Sequence, residues 1–360
     1  MAVHPISAVE AMQRMALPAT APGAFSCIID ARSPAEHAHD HLPQALNWPS
    51  LTDEERVRVG TIYKQVSAFE ANKVGAALVA ANIAKHLQEH VMQLPKQWQP
   101  LVYCWRGGKR SGSLALVLGQ IGFKVWLIEG GYKAFRAAVV QDTATLSAGF
   151  QFQVIAGPTG SGKTRLLHAL AKQGAQVLDL EALAQHRSSV LGRIPGQAQP
   201  SQKHFDMRVW QQLRQFDPSR TVFVEAESKK VGNVSIPEAL VQAMRNSPCI
   251  DVQLSDEERV QLLLEDYAFF AQDASLFCQR LQVLTAQKGK AVVSEWQRLV
   301  QSGQTEQVVR ELLLSHYDPT YAKSVERNFL QFKQAFTLQL PSRQDHAMQL
   351  AAQELKQRYP

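Results

Sequence analysis

Apolar runs of strand length recur through the first two thirds of the chain, and helical apolar spacing dominates the last third. Phe25–Asp30 (FSCIID), Leu101–Cys104 (LVYC) and Lys124–Ile128 (KVWLI) predict three strands, the first ending in the turn-rich Asp30-Ala-Arg-Ser-Pro. Val74–Leu87 and Ser111–Ile121 carry helical spacing between them. Strands alternating with helices predict an α/β fold with a parallel sheet covered on both faces. Around Gln141–Gly149 the pattern weakens into small and polar residues, which places a domain boundary there. A second series follows, with strands predicted at Gln151–Ala156, Gln176–Leu180, Thr221–Ala226 and Cys249–Leu254. From Ser255 the pattern turns helical. Ser255 and Glu258 predict a capping box, and Val260, Leu263, Leu264, Tyr267 and Phe270 fall at helical spacing. The expected organisation is therefore an α/β domain over 1–142, a second α/β domain over 143–254, and a helical region over 255–360 packed on the second.

Composition narrows the class. The chain has 360 residues, 45% hydrophobic and 19% charged, the balance of a globular protein. No apolar run reaches the length of a membrane span, and the N-terminal segment lacks the cationic and apolar stretches of a secretory signal. The four cysteines, Cys27, Cys104, Cys249 and Cys278, are far apart, which argues against a disulfide framework or a zinc site of usual spacing. A reducing cytoplasm is the expected location. The net charge of +6 is uneven: +3 over 1–142, +5 over 143–250 and −2 over 251–360. An excess confined to the first two thirds suggests phosphate or nucleic-acid ligands.

Cys104-Trp-Arg-Gly-Gly-Lys-Arg-Ser111 follows a predicted strand and precedes a predicted helix, in the form C-x5-R-[ST]. Backbone N–H groups of such a loop, the helix N-terminus and the cations Arg106, Lys109 and Arg110 all favour a thiolate at Cys104. Cys27, Cys249 and Cys278 lie in apolar runs and read as core residues. C-x5-R alone also suits cysteine phosphatases. The loop resembles the active-site loop of the rhodanese family of sulfurtransferases. Asp30-x-Arg32, Glu36, the His41-x-Pro43-x-Ala45-x-Asn47 run and Glu129-Gly130-Gly131 resemble further motifs of that family.

Gly157-Pro-Thr-Gly160-Ser161-Gly162-Lys163-Thr164 matches G-x-x-x-x-G-K-[ST] between a strand and a helix. The loop's backbone N–H groups are expected to cradle a diphosphate or triphosphate, with Lys163 on its terminal oxygens and Thr164 able to ligate magnesium. Any linear polyphosphate ester fits the cradle, a nucleoside triphosphate or a prenyl diphosphate among them. Glu225 and Glu227 end the strand where P-loop proteins usually carry an Asp, and Asp179 and Glu181 end the strand before it. These acids are candidates to assist a metal or act as a base. The polar and basic stretches at His186-Arg187, Lys203-His204 and Lys229-Lys230 are candidates for contact with a phosphate backbone or a flipped base.

The pairing of these two domains, with CWRGGKRS, GPTGSGKT, DLEALAQHRSS, EAES and Val59-Gly-Thr-Ile-Tyr-Lys64, resembles the tRNA 2-selenouridine synthase family. The resemblance departs at Ser188, where a Gly is expected. It implies replacement of sulfur by selenium in the wobble 2-thiouridine of the tRNA anticodon, with selenophosphate as donor. It implies an S-geranyl intermediate made from geranyl diphosphate, with magnesium aiding departure of pyrophosphate. A selenophosphate-supplying enzyme is then an expected partner. The phosphate loop would hold geranyl diphosphate. Cys104 would carry selenium as a perselenide or activate selenophosphate, with Arg106, Lys109 and Arg110 binding the anion. The rival expectation is an NTP-dependent sulfurtransferase or kinase with a rhodanese sulfur-carrier domain. On either view, Lys163, Arg106, Lys109 and Arg110 account for part of the positive charge, and the last third reads as helical support.

Overall fold

Every strand of the two main sheets pairs in parallel, as expected where helices connect successive strands. The computed structural model describes residues 3–189 and 191–360. The chain divides into two compact units, Met1–Asp142 and Thr143–Pro360.

In the first unit, β1 (Val3–Ile6), β2 (Cys27–Asp30), β3 (Ala45–Asn47), β4 (Pro100–Tyr103) and β5 (Val125–Ile128) form a sheet in the order β1-β5-β4-β2-β3. The central strands β2, β4 and β5 coincide with the predicted runs. The two strands not predicted, β1 and β3, are the edges. An edge strand tolerates Pro5 and needs no continuous apolar run, so its sequence signal is faint. Helices Ala68–His86 and Lys109–Ile121 supply Ile83, Leu114, Ala115 and Leu118 to a core with Ile29, Val102 and Val125.

The division between the units falls at the expected place, but inside a continuous helix, Gly131–Gly149, and not in a loop. Alanine favours helix, and its small size hides the apolar period. The hydroxyl of buried Ser147 donates to the Thr143 carbonyl at 2.7 Å, so it is satisfied within the helix.

In the second unit, β6 (Phe152–Ala156), β7 (Gln176–Leu178), β8 (Val222–Glu225), β11 (Cys249–Gln253) and β12 (Phe336–Gln339) form a sheet in the order β12-β11-β6-β8-β7. A small antiparallel ribbon, β9 (Lys230–Val231) with β10 (Val234–Ser235), stands apart from it. Side chains alternate across this sheet. Val154, Ala156, Val222 and Val224 face one apolar cluster, and Ile155, Phe223, Ile250 and Val252 face the other. The region after Ser255 is not wholly helical, because β12 returns to pair with β11 as another edge strand. The capping box at Ser255 is only half made. Ser255 accepts the Glu258 N–H at 3.4 Å, but the Glu258 carboxylate is taken by Arg343 at 3.0 Å. The remaining helices pack Phe277, Leu281, Trp296, Leu299 and Val308 into a core of their own.

One buried ion pair organises the polar interior of the first unit. Asp30 and Arg32 are both almost fully enclosed, with Arg32 Nη2 at 2.6 Å from Asp30 Oδ2. Arg32 also donates to the Asp40 carbonyl at 2.6 Å, and its guanidinium lies 4.0 Å from the centre of the Tyr132 ring. The Tyr103 hydroxyl donates to Asp30 at 2.8 Å and accepts the Leu42 N–H at 3.1 Å. Removing one member of such a pair strands a buried charge. Arg32→Met is expected to destabilise the first unit by about 3–5 kcal/mol, read from the tryptophan-monitored urea transition. A loss below about 1 kcal/mol would show that the pair is dispensable.

Candidate functional site

Two sites lie at the carboxyl ends of the central strands, one in each unit. In the first, β4 delivers Cys104 to a loop that turns directly into the helix Lys109–Ile121. The Ser111 hydroxyl donates to Cys104 Sγ at 3.0 Å. Ser111 carries this role unnoticed in the sequence, although it is the final position of C-x5-R-[ST]. Tyr132 N–H donates to the Cys104 carbonyl at 2.8 Å, tying the loop to the next turn. That turn needs glycine. Gly131 has φ of +58°, and a Cβ there would fall 2.2 Å from the Cys104 carbonyl oxygen and 2.4 Å from the Gly107 nitrogen.

The three cations of the loop do not all surround the sulfur. Arg110 pairs with Glu36 at 2.7 Å, and Lys109 donates to Asn72 at 3.0 Å. Arg106 is exposed. Burial pushes the Cys27 thiol up to about 12 and the Cys249 thiol up to about 11, and raises that of Cys278, so these three stay protonated. All four cysteines are free.

In the second unit, β6 runs into the phosphate loop, and the helix Lys163–Lys172 begins at its lysine. Gly157 has φ of +143°, and a Cβ there would stand 2.5 Å from both Ser161 Oγ and the Val252 carbonyl. Its N–H donates to the Tyr321 hydroxyl at 2.5 Å. Lys163 Nζ donates to the carbonyls of Gly157 and Pro158 at 2.9 and 3.1 Å. Buried Arg259 holds the loop from the other side, donating to the Thr159 carbonyl at 2.8 Å and pairing with Asp318 at 2.5 Å. Tyr321, Arg259 and Asp318 come from the last third, which carries no phosphate-binding motif. That third is therefore part of the site as well as its support.

A cleft of about 800 Å³ opens above this loop, lined by Gly160, Gly162, Lys163 and Thr164, by the acids Asp179, Glu181, Glu225 and Glu227, and by Tyr267, Tyr317 and Tyr321. The loop fits a phosphate group: Ser161 Oγ is buried with no hydrogen-bond partner. Glu225 Oε1 is likewise buried and unpartnered, and the same carboxyl interacts with the Thr164 hydroxyl. These two residues fit a divalent cation beside the phosphates. Asp179 stands one step removed. The strand predicted to reach Leu180 stops at Leu178, and Asp179 caps the next helix, accepting the Ala182 N–H at 2.8 Å and pairing with His168 at 2.8 Å.

The basic candidates separate by position. His186 is buried and lines the cleft, and burial lowers the pKa of its imidazole. Arg187 also lines the cleft, donating to the Asp266 carbonyl at 2.6 Å and standing over the Tyr267 ring. Ser188, the position that departs from the expected glycine, donates its N–H to Glu181 at 2.6 Å and its hydroxyl to Glu227. Lys203 is half-buried on the helix Gln202–Arg214. Lys229 and Lys230 are exposed where the chain enters the β9–β10 ribbon, Lys230 being its first residue, and Lys229 is 3.4 Å from Glu238.

Burial and mutual repulsion push Glu181 up to about 9 and Glu227 up to about 8, and burial raises Glu225 as well. Folded chains thus retain protons that unfolded chains have released above the ordinary carboxyl value of 4.5. The contribution of these acids to stability is greatest below that value and falls as pH rises toward 9. Glu227→Gln should flatten the decline in Tm between about pH 5 and 9. An unchanged slope would contradict a protonated Glu227.

Residues 7–138 match the family model of the rhodanese-like domain, and residues 150–283 match that of the tRNA 2-selenouridine synthase AAA domain. Among curated relatives, the tRNA 2-selenouridine synthase of Nitrosomonas europaea is 39% identical over 67% of this chain, which spans 63% of that relative's length. The tRNA 2-selenouridine synthase of Aeromonas salmonicida is 32% identical over 82% of this chain and 86% of its own. That of a Sulfurovum species is 31% identical over 84% of this chain and 89% of its own. With a rhodanese-like sheet domain ahead of a P-loop domain, and similarity running across both, the chain belongs to the tRNA 2-selenouridine synthase family.

Proposed function

We propose that the chain is a transferase that converts wobble 2-thiouridine of tRNA to 2-selenouridine, through an S-geranyl-2-thiouridine intermediate. The observation that carries the geranyl step is an apolar pocket beside the phosphate loop. Leu263, Phe270, Phe277, Val309 and Leu312 line it, and it shares Thr159, Tyr267 and Tyr317 with the phosphate cleft. A diphosphate ester with a terpenoid tail matches both halves, since each buried CH₂ contributes about 0.8 kcal/mol. A nucleoside base would bury polar edges against a lining that is mostly apolar, with only the hydroxyls of Thr159, Ser189, Tyr267 and Tyr317 to meet them.

In this reading the diphosphate lies in the cradle of Gly157, Gly160, Ser161 and Gly162, with Lys163 on its oxygens. The 2-thio sulfur attacks carbon 1 of the geranyl chain. The carbon–oxygen bond breaks, pyrophosphate leaves with the bonding pair, and the uridine N3 proton passes to solvent. Thr164 and Glu225 are the residues that would hold Mg²⁺, whose charge would add to that of Lys163 on the departing group. The other acids, Glu181 and Glu227, hold protons and keep the cleft near neutrality.

Selenophosphate, an anion, suits the N–H-rich loop of Cys104, with exposed Arg106 able to turn toward it and Lys109 and Arg110 to exchange Asn72 and Glu36 for it. The thiolate attacks phosphorus, the phosphorus–selenium bond breaks, and selenide leaves with the electron pair. Selenide adds to C2 of the S-geranyl uridine and expels geranylthiolate. Water then cleaves the sulfur–phosphorus bond, restoring Cys104 and releasing phosphate. A selenophosphate-producing enzyme is the matching supplier. Lys203, Lys229 and Lys230, with His186 and Arg187 at the cleft, are the residues we assign to tRNA contact near the anticodon. No helix among the described residues is long and apolar enough to cross a membrane, and a tRNA substrate suits the cytoplasm.

The AAA description of the matched family model favours a second reading, in which a nucleotide occupies the loop of an NTP-dependent sulfurtransferase or kinase. Calorimetric titration with geranyl diphosphate and with ATP separates the two. Tight ATP binding without geranyl diphosphate binding would favour the second.

Mass spectrometry of tRNA nucleosides tests the main reading. Cys104→Ala is expected to accumulate S-geranyl-2-thiouridine and form no 2-selenouridine. Lys163→Ala should form neither product, and wild-type geranylation in that variant would overturn the assignment. Leu312→Trp fills the apolar pocket and should raise KM for geranyl diphosphate at least about tenfold, a loss of about 1.4 kcal/mol. Pyrophosphate binding should be unchanged. An equal loss of both would place the chain elsewhere.

A further inference from the structure

The long helix Ala68–His86 of the first unit runs on into a π turn, Leu87–Val91, and the junction brings three metal-binding side chains close together. His86, Glu89 and His90 stand at i, i+3 and i+4, the spacing that places residues on one helix face. One donor atom from each lies within 4.8 Å of the other two. None of them belongs to the Cys104 loop or to the phosphate cleft.

We propose that His86, Glu89 and His90 bind a divalent transition-metal ion of borderline softness, of the zinc, cobalt or nickel type. Two imidazoles and one carboxylate are the donor set such ions take, with positions left over for water or a further ligand.

The state of His86 sets the site apart from a chance surface cluster. This residue is 8% exposed, and its Nε2 lies 3.0 Å from the Pro49 carbonyl. A carbonyl only accepts, so Nε2 carries the proton and Nδ1 carries the lone pair. Nδ1 is buried and has no hydrogen-bond partner. A buried acceptor left unsatisfied is costly, and metal coordination would satisfy it. Donation of the second ring N–H to a backbone carbonyl is also the usual way a metal-ligating histidine is oriented.

Packing fixes both rings. Trp48 stacks on His86 with centroids 5.9 Å apart and on His90 at 5.0 Å, and the planes of the two imidazoles are 19° from parallel. Glu89 and His90 stay accessible, with Glu89 Oε2 3.7 Å from His90 Nε2. The competing contact, Lys85 to Glu89 at 3.8 Å, is exposed and therefore weak.

Titration of the full chain with Co²⁺, followed by visible absorption and calorimetry, tests the site. One Co²⁺ per chain is expected, with d–d bands, without a thiolate charge-transfer band, and displaced by Zn²⁺. Glu89→Gln and His90→Ala, both at exposed positions, should each weaken binding by at least about tenfold. Cys104→Ser should leave it unchanged. Zn²⁺ should raise the Tm of the parent chain and not that of His90→Ala. Absence of Co²⁺ binding, binding unaffected by both exposed substitutions, or binding lost in Cys104→Ser would each overturn the proposal.

Discussion

Gathering the carboxyl groups of Glu181, Glu225 and Glu227 beside the Lys163 ammonium is the constraint on which the second unit depends. Ionised together in a buried cleft, they would repel one another and lose their hydration. The fold answers in two ways. It lets the acids hold protons, with Glu181 and Glu227 pushed well above the usual carboxyl range. It also supplies hydrogen bonds, from Ser188 to Glu181 and Glu227 and from Thr164 to Glu225. A cleft whose acids hold their protons can take anionic phosphates beside Lys163 without gathering so much negative charge in one place.

The phosphate loop is held from the opposite direction by the last third of the chain. Tyr321 accepts the first glycine's N–H, and Arg259 bridges the Thr159 carbonyl to Asp318. The same region contributes the apolar wall next to the loop. Polar cradle and apolar pocket thus share one frame.

The first unit relies on backbone fit where the second relies on charge. Of the three basic residues near Cys104, Arg110 and Lys109 have partners in Glu36 and Asn72. The sulfur receives the Ser111 hydroxyl, and its loop is locked by the Tyr132 N–H against Gly131. Behind that turn, Tyr132 donates to Asp40 and lies against Arg32, which pairs with Asp30. A buried ion pair of this kind gives little net stability, yet it fixes one arrangement of the loops above it.

Local patterns were enough for the central strands, the cysteine loop and the phosphate loop. Each combines a short apolar run with glycines and cations adjacent in sequence, so the chemistry and its scaffold are read together. The edge strands β1, β3 and β12 left little trace, since an edge is half-solvated and tolerates proline and polar residues. The helix through Gln141–Gly149 was hidden by its alanines. Charge counted along the chain suggested anionic ligands without sorting the cations. Only the tertiary structure separated exposed Lys229 and Lys230 from Arg187 in the cleft and Arg110 in its ion pair. The tertiary structure also brought Arg259, Asp318 and Tyr321 to a loop some 100 to 160 residues earlier. The sequence by itself determined which chemistry the chain carries, because motifs are local. Tertiary structure decided which residues share a site and which acids keep their protons, because burial and proximity depend on how distant segments pack.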